Sequence, residues 1–275
     1  MPYPILTLPY PFAKRLRQLL NPFEIEELQK AAGKTVISPL KPIVTSCKVD
    51  TIEFKQNPMN DHAYGLYHRK NHISLPEKDQ YFIKCVVARF SDMSEGALNT
   101  LKTDQLLIKL KRINLEGCHI SHAFLRNVSK MMVVQPTQLD MRFSPAVDED
   151  VKFSTILDIF SCLTHIALKT SYFGWLDDLA STGKKFHIAE VFDDNFEKMF
   201  SFCPKALYNF VNKQYADFHF RLFLMTDNIQ ATVDKIKPFI DPRFDCIING
   251  HIKICIFVCY NGAKYERLEY FYKKA

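Results

Sequence analysis

The chain lacks a long hydrophobic run: nowhere in its 275 residues is there a stretch approaching the ~20 apolar residues that cross a bilayer. No membrane partner is expected. It also lacks a secretory leader pattern, because Pro2, Pro4, Pro9 and Pro11 interrupt the apolar start and Lys14, Arg15 and Arg17 follow it. A cytoplasmic or nuclear location is the expectation. Glycine is scarce at 8 residues, and no GxSxG elbow, phosphate-cradling glycine loop or HExxH helix occurs. Nucleophilic, phosphoryl-transfer and zinc-hydrolase chemistry thus have no footing in the sequence. No enzymatic activity, cofactor or metal is expected.

A clustered basic block is also missing. The formal charge of +6 comes from 36 basic residues scattered among 30 acidic ones, so no nucleic-acid partner is expected. The eight cysteines, Cys47, Cys85, Cys118, Cys162, Cys203, Cys246, Cys255 and Cys259, form no CxxC pair. In a chain of this size they read as reduced thiols and not as a disulfide framework. Cys255 and Cys259 share one face of a strand and read as core. Cys118, His119 and His122 have no second ligand cluster at finger spacing. Asp177-Asp178 and Asp193-Asp194 read as helix-end carboxylates, and Trp175 reads as core at helical spacing with Phe173 and Leu179.

What is present is 47% hydrophobic residues, ample for a core, arranged in patterns that change along the chain. Phe12, Leu16, Leu19 and Leu20 recur at helical spacing. Asn21 can cap a second helix that starts at Pro22, carries Ile25, Leu28 and Ala32 inward and stops at Gly33. Residues 1–42 are therefore expected to form a short helix pair.

Beyond it a frame of apolar residues at offsets 0, 3 and 5, closed by a small or polar residue at 8, recurs. Val49, Ile52, Phe54 and Asn57 fit, as do Ile83, Val86, Ala88 and Ser91. Leu110, Ile113, Leu115 and Cys118 fit again, then Leu163, Ile166, Leu168 and Ser171. Weaker copies are Pro136, Leu139, Met141, Ser144 and Gly183, Phe186, Ile188, Val191. Helical stretches at 93–101, 122–131, 151–160 and 173–180 separate them. The fold class expected is α/β: a leucine-rich-repeat-like strand/helix array over 43–192, each unit burying its face on its neighbours. The alternative is another α/β fold with strands that only look periodic. From about 193 the frame dissolves into helices at 195–202 and 205–215, a strand through Phe218–Leu224, a helix at 227–237 and a β-meander turning at Asn261-Gly262. Residues 193–275 read as a closing α/β cap.

The opening Tyr3-Pro4-Ile5-Leu6-Thr7-Leu8-Pro9, followed by Asn21-Pro22-Phe23-Glu24-Ile25 and Leu28, resembles the F-box in the form common in nematodes. The remainder resembles the F-box-associated domain that accompanies it there, with Phe244-Asp245-Cys246-Ile247 and Asn249-Gly250 ahead of an alternating apolar strand. The resemblance implies a substrate adaptor of a Skp/cullin/F-box ubiquitin ligase. Leu8, Pro9, Leu16, Leu20, Pro22 and Leu28 would meet the Skp linker protein, and the array would select an unidentified target protein. The alternative is a leucine-rich-like interaction module without ligase docking.

Strand alternation places the residues between frame positions on the opposite, open face. The target-binding candidates are Lys55, Arg89, Arg112, Glu116, Asp140, Arg142, His165 and Lys169. Of these, Lys55, Arg89, Glu116, Arg142 and Lys169 are expected to form one mostly positive column favouring an acidic target segment.

Overall fold

The computed structural model describes residues 10–32, 44–55, 66–68, 71–73, 81–100, 106–169, 171–245, 253–260 and 264–272. The chain is a mixed α/β protein built on one large sheet. Its strands are β1 (Thr51–Lys55), β2 (Val87–Ser91), β3 (Arg112–Glu116), β4 (Gln138–Phe143), β5 (His165–Leu168), β6 (Ile188–Asp193), β7 (His219–Met225), β8 (Phe244–Asp245), β9 (Ile254–Tyr260) and β10 (Lys264–Tyr272). They lie in the order β1-β2-β3-β4-β5-β6-β7-β9-β10-β8. Every pair from β1 to β9 is parallel, and only β10 and β8 run antiparallel to their neighbours.

Parallel neighbours need long crossovers. From β2 onward helices occupy them: α3 (Glu95–Thr100), α4 (His122–Lys130), α5 (Phe153–Ile159), α6 (Trp175–Ser181), α7 (Phe196–Met199), α8 (Pro204–Asn212) and α9 (Ile229–Ile236) follow α1 (Tyr10–Leu19) and α2 (Pro22–Ala32). A second parallel sheet of short strands, Cys47–Lys48, Tyr81–Lys84, Leu106–Lys109 and Met132–Val134, precedes β1 to β4 one for one. At the bend between the two sheets the backbone stays hydrogen-bonded. The carbonyls of Asp50, Val86, Lys111, Thr137 and Thr164 each accept two N–H groups from the next unit at 2.9–3.3 Å, so these corner carbonyls are satisfied.

The core follows the strand register. Ile52, Ala88, Ile113, Leu139, Ile166, Ala189, Phe220 and Ile254 stand in one row across eight strands, all buried. Phe54 and Phe90 stack in the adjacent row at 4.6 Å. Trp175 is fully buried as expected, with its indole N–H on the Met199 carbonyl at 3.1 Å. Phe173, expected beside it, is 69% exposed.

Two frame copies need correction. Val86 lies at a corner and is exposed, so the second copy is Cys85, Ala88, Phe90 and Met93. The last begins at Phe186, with Ala189 and Val191, because Gly183 is exposed and Ile188 half-exposed. Ile83 mimics a frame position because residues flanking a buried strand are apolar too, and Phe186 is a frame residue at offset 0 and not at offset 3. Asn57 lies outside the described residues. Beyond 193 the sheet continues: β7 and β9 extend the same parallel order, and the β9–β10 hairpin closes the far edge.

The N-terminal helix pair forms as the sequence predicts. Asn21 Oδ1 accepts the N–H groups of Phe23 and Glu24 at 3.0 and 3.1 Å, and the Glu24 carboxylate accepts the Asn21 N–H at 2.9 Å, a reciprocal cap. Leu19, placed on the apolar face by its spacing, is 74% exposed. Helix α2 is bound to the short-strand sheet through Glu26, which pairs with Lys84 at 2.7 Å and accepts the Ser46 hydroxyl at 2.6 Å. Phe23 packs edge-on against Phe82. Gly33 lies outside the described residues.

Candidate functional site

Side chains that alternate with the core rows emerge on the other face of the main sheet, and most are half-exposed. The register sorts them into three rows. Nearest the corner run Thr51, Val87, Arg112, Gln138, His165, Ile188 and His219. The middle row is Glu53, Arg89, Asn114, Asp140, Ala167, Glu190, Arg221 and Cys255.

The outer row begins with Lys55, Ser91 and Glu116 and ends with Phe192, Phe223 and Phe257. These three rings form a parallel stack. Phe192 and Phe223 lie 4.1 Å apart at 5°, and Phe223 and Phe257 lie 4.5 Å apart at 3°. Arg142 stands 5.6 Å from the Phe192 ring and Arg267 5.7 Å from the Phe257 ring, within cation–π range. Phe143 and Tyr265 extend the apolar strip and are each 66% exposed.

The expected positive column does not form. Arg89 faces Glu53 and Asn114, whereas Lys55 and Glu116 face Ser91. The two-residue slip of the second frame copy preserves the face but moves Arg89 one row over. A register irregularity between Asp140 and Phe143 displaces the end of β4. Its charges are also matched locally. Arg89 pairs with Glu116 at 3.2 Å. Arg142 meets Asp140 at 2.6 Å and Glu190 at 3.6 Å, and Arg221 meets Glu190 at 2.7 Å. The Asp140 hydrogen bond holds the Arg142 guanidinium more firmly protonated than usual. Arg112, Asp140, Arg142 and His165 share one shallow depression. Lys55 and Lys169 lie away from it and are exposed.

Sequence reading missed the aromatic stack. Its signal was available: each Phe adjoins core residues of its strand, in Val191-Phe192, Leu222-Phe223-Leu224 and Ile256-Phe257-Val258. Among the candidate docking residues, Leu16, Leu20, Pro22 and Leu28 are half-exposed, while Leu8 and Pro9 lie outside the described residues.

Other candidates resolve individually. Cys255 and Cys259 lie on the open face, because alternation places Ile254, Ile256 and Val258 inward; Cys255 is nonetheless buried, as expected, beneath Arg267, whose Nε is 3.3 Å from its sulfur, whereas Cys259 is half-exposed. The described cysteines are free thiols, and Cys246 is outside the described residues. Burial pushes the Cys85 thiol up to about 12 and that of Cys118 to about 11. His119 pairs with Asp148 at 2.8 Å. Asp178 does more than end a helix: it accepts the Tyr172 hydroxyl and the Ser154 N–H, joining α5 to α6. Asp193 likewise accepts Ser171 Oγ at 2.6 Å.

Among the described residues no helix is long and apolar enough to cross a membrane, and no cluster of three His, Cys, Asp or Glu side chains is arranged to hold a metal. Comparison of the chain with family models, curated proteins and solved structures returns no match.

Proposed function

We propose that the chain is a protein-binding adaptor whose open sheet face receives a target protein. The observation that carries this reading is the half-exposed stack of Phe192, Phe223 and Phe257 between Arg142 and Arg267. Aromatic and arginine side chains on a rigid sheet are the residue types that dominate protein interfaces. The sequential parallel strands and the 0, 3, 5 core frame support a leucine-rich-like array as the scaffold.

The resemblance of the helix pair to an F-box supplies the second half of the proposal. Leu16, Leu20, Pro22 and Leu28, with Leu8 and Pro9, would dock a Skp linker and deliver the target to a cullin ligase. Exposed Leu19 adds apolar area to that surface. The helix pair and the open face are separate surfaces, so each is tested alone. Tagged wild type, Leu16→Asp and Phe223→Glu are expressed in cells and their bound proteins identified. Leu16→Asp is expected to lose the Skp protein and keep the target; Phe223→Glu is expected to do the reverse. If a folded Leu16→Asp variant captures Skp as well as the wild type does, ligase docking is wrong. The interaction module without ligase docking then stands.

A further inference from the structure

Diagonal to the aromatic stack, toward the start of the strands, lies a depression of about 230 Å³ lined by Arg112, Gln138, Asp140, Arg142, His165, Glu190 and Arg221. Its charges do not cancel. Asp140 and Glu190 engage Arg142 and Arg221, which leaves the third guanidinium unmatched. Arg112 bonds through Nε to the neutral Gln138 Oε1 at 2.7 Å and has no carboxylate partner among the described residues. Its two terminal nitrogens remain available as a fork.

Gln138 pairs in register with Arg112 on one side and His165 on the other, so the three side chains stand abreast at roughly 5 Å strand spacing. His165 Nδ1 lies 3.0 Å from Thr164 Oγ1. Its Nε2 has no protein partner among the described residues. A surplus of one positive charge, flanked by the Asp140 and Glu190 carboxylates, is neutralised by one monoanion.

We propose that Arg112 and His165 form a subsite for a carboxylate, the side chain of an aspartate or glutamate on the partner's extended segment. This rests on the open-face reading above and names the chemistry that face selects. From the corner row to the Phe192 row is four residues of strand, ~13 Å, and one to three strand spacings lie between the two sites. An extended partner segment spans that diagonal in roughly four to six residues, carboxylate at one end and an apolar side chain at the other.

The subsite is also sensitive to pH. Burial, then the charges of His187, Lys111 and Arg112, hold the His165 imidazole below its ordinary range against the pull of Asp217. Asp140, Arg142, Glu190 and Arg221 complete the charged surroundings. A bound carboxylate favours imidazolium, so binding tightens as pH falls through the His165 titration.

The test uses full-length protein with isotope-labelled histidine. One probe is an acetylated, amidated six-residue threonine peptide with glutamate first and phenylalanine fifth; the other has glutamine in place of glutamate. The His165 ring signals are expected to shift saturably. The glutamate peptide should bind about tenfold more tightly, the size of one charge-assisted hydrogen bond, with the gap widening as pH falls through the His165 titration. Arg112→Gln, read at the His165 ring, and His165→Gln, read at the His187 ring 5.7 Å away, should each shrink the preference below about twofold without altering the thermal melt. Equal binding of the two peptides, or no saturable shift with either, overturns the subsite. So does inorganic phosphate acting on the same signals at lower concentration than the glutamate peptide. Cellular target capture that fails with Phe223→Glu but survives Arg112→Gln removes the subsite alone and leaves the open-face reading standing.

Discussion

Phe223 lies face to face with Phe257, ring centres 4.5 Å apart and planes within 3°, on strands that pair residue for residue. The stack is a product of register: a slip of one residue in β9 would turn Phe257 into the core and bring Ile256 or Val258 out.

The first prediction concerns what this stack contributes to stability. Each ring is only half-buried, and an aromatic pair adds ~0.5–1.5 kcal/mol beyond its area. Phe223→Ser is therefore expected to cost about 1–3 kcal/mol in denaturant unfolding and to leave the protein folded. A loss well above that range would mean that the stack holds up the core and is not a surface feature.

A turn after β3 gives the second. Gly117 has φ +66°, and a Cβ there would stand 2.2 Å from Asp92 Oδ1. Gly117→Ala combines left-handed backbone strain with a clash, so about 1–3 kcal/mol of destabilisation is expected. Adding Asp92→Gly removes both the clashing carboxylate and a second residue at positive φ. The double variant should recover part of the loss; equal stability of single and double variants would rule out the clash as its cause.

Acid stability should report on the junction between α2 and the short strands. Burial opposes the charged form of Glu26, yet hydrogen bonds from Lys84, Ser46 and Lys30 prevail and hold its carboxyl at about 2 against an ordinary 4.5. The folded pKa is depressed, so this contribution is fully present above 4.5 and lost as pH falls through about 2. Glu26→Gln is expected to flatten the stability profile across that window. A Gln variant with the wild-type pH slope would disprove the linkage.

Thiol reactivity should follow burial and thiolate character. Exposed Cys162 and Cys203 are expected to alkylate first. Cys118, fully buried and pushed up to about 11, and Cys85, pushed up to about 12, should react only after unfolding. Timed alkylation without reductant, read by mass spectrometry, should label all eight cysteines once the chain is denatured. A disulfide in freshly prepared protein would contradict the reduced state.

Much of the scaffold was legible because it is written in short-range pattern. The copies beginning at Leu110, Pro136 and Leu163 hold their frame positions in the core, and the Asn21–Glu24 cap forms where the side chains indicate. The copy beginning at Ile83 failed because spacing does not separate Val86, apolar but at an exposed corner, from a buried strand residue. The site was less legible. Arg112 and His165 were assigned to the open face correctly, but the surplus charge belongs to Arg112 and not to the column of Lys55, Arg89, Arg142 and Lys169.

By itself the sequence determined which residues alternate on a strand, where helices start and that strands and helices take turns, since each depends on neighbours a few positions away. The tertiary structure decided which strand residues stand side by side. Phe192, Phe223 and Phe257 are separated by more than thirty residues at each step and meet only because the β6–β7 and β7–β9 pairings set a common register. Register is a non-local quantity: it depends on how each unit packs on the next, and alternation along one strand carries no information about it.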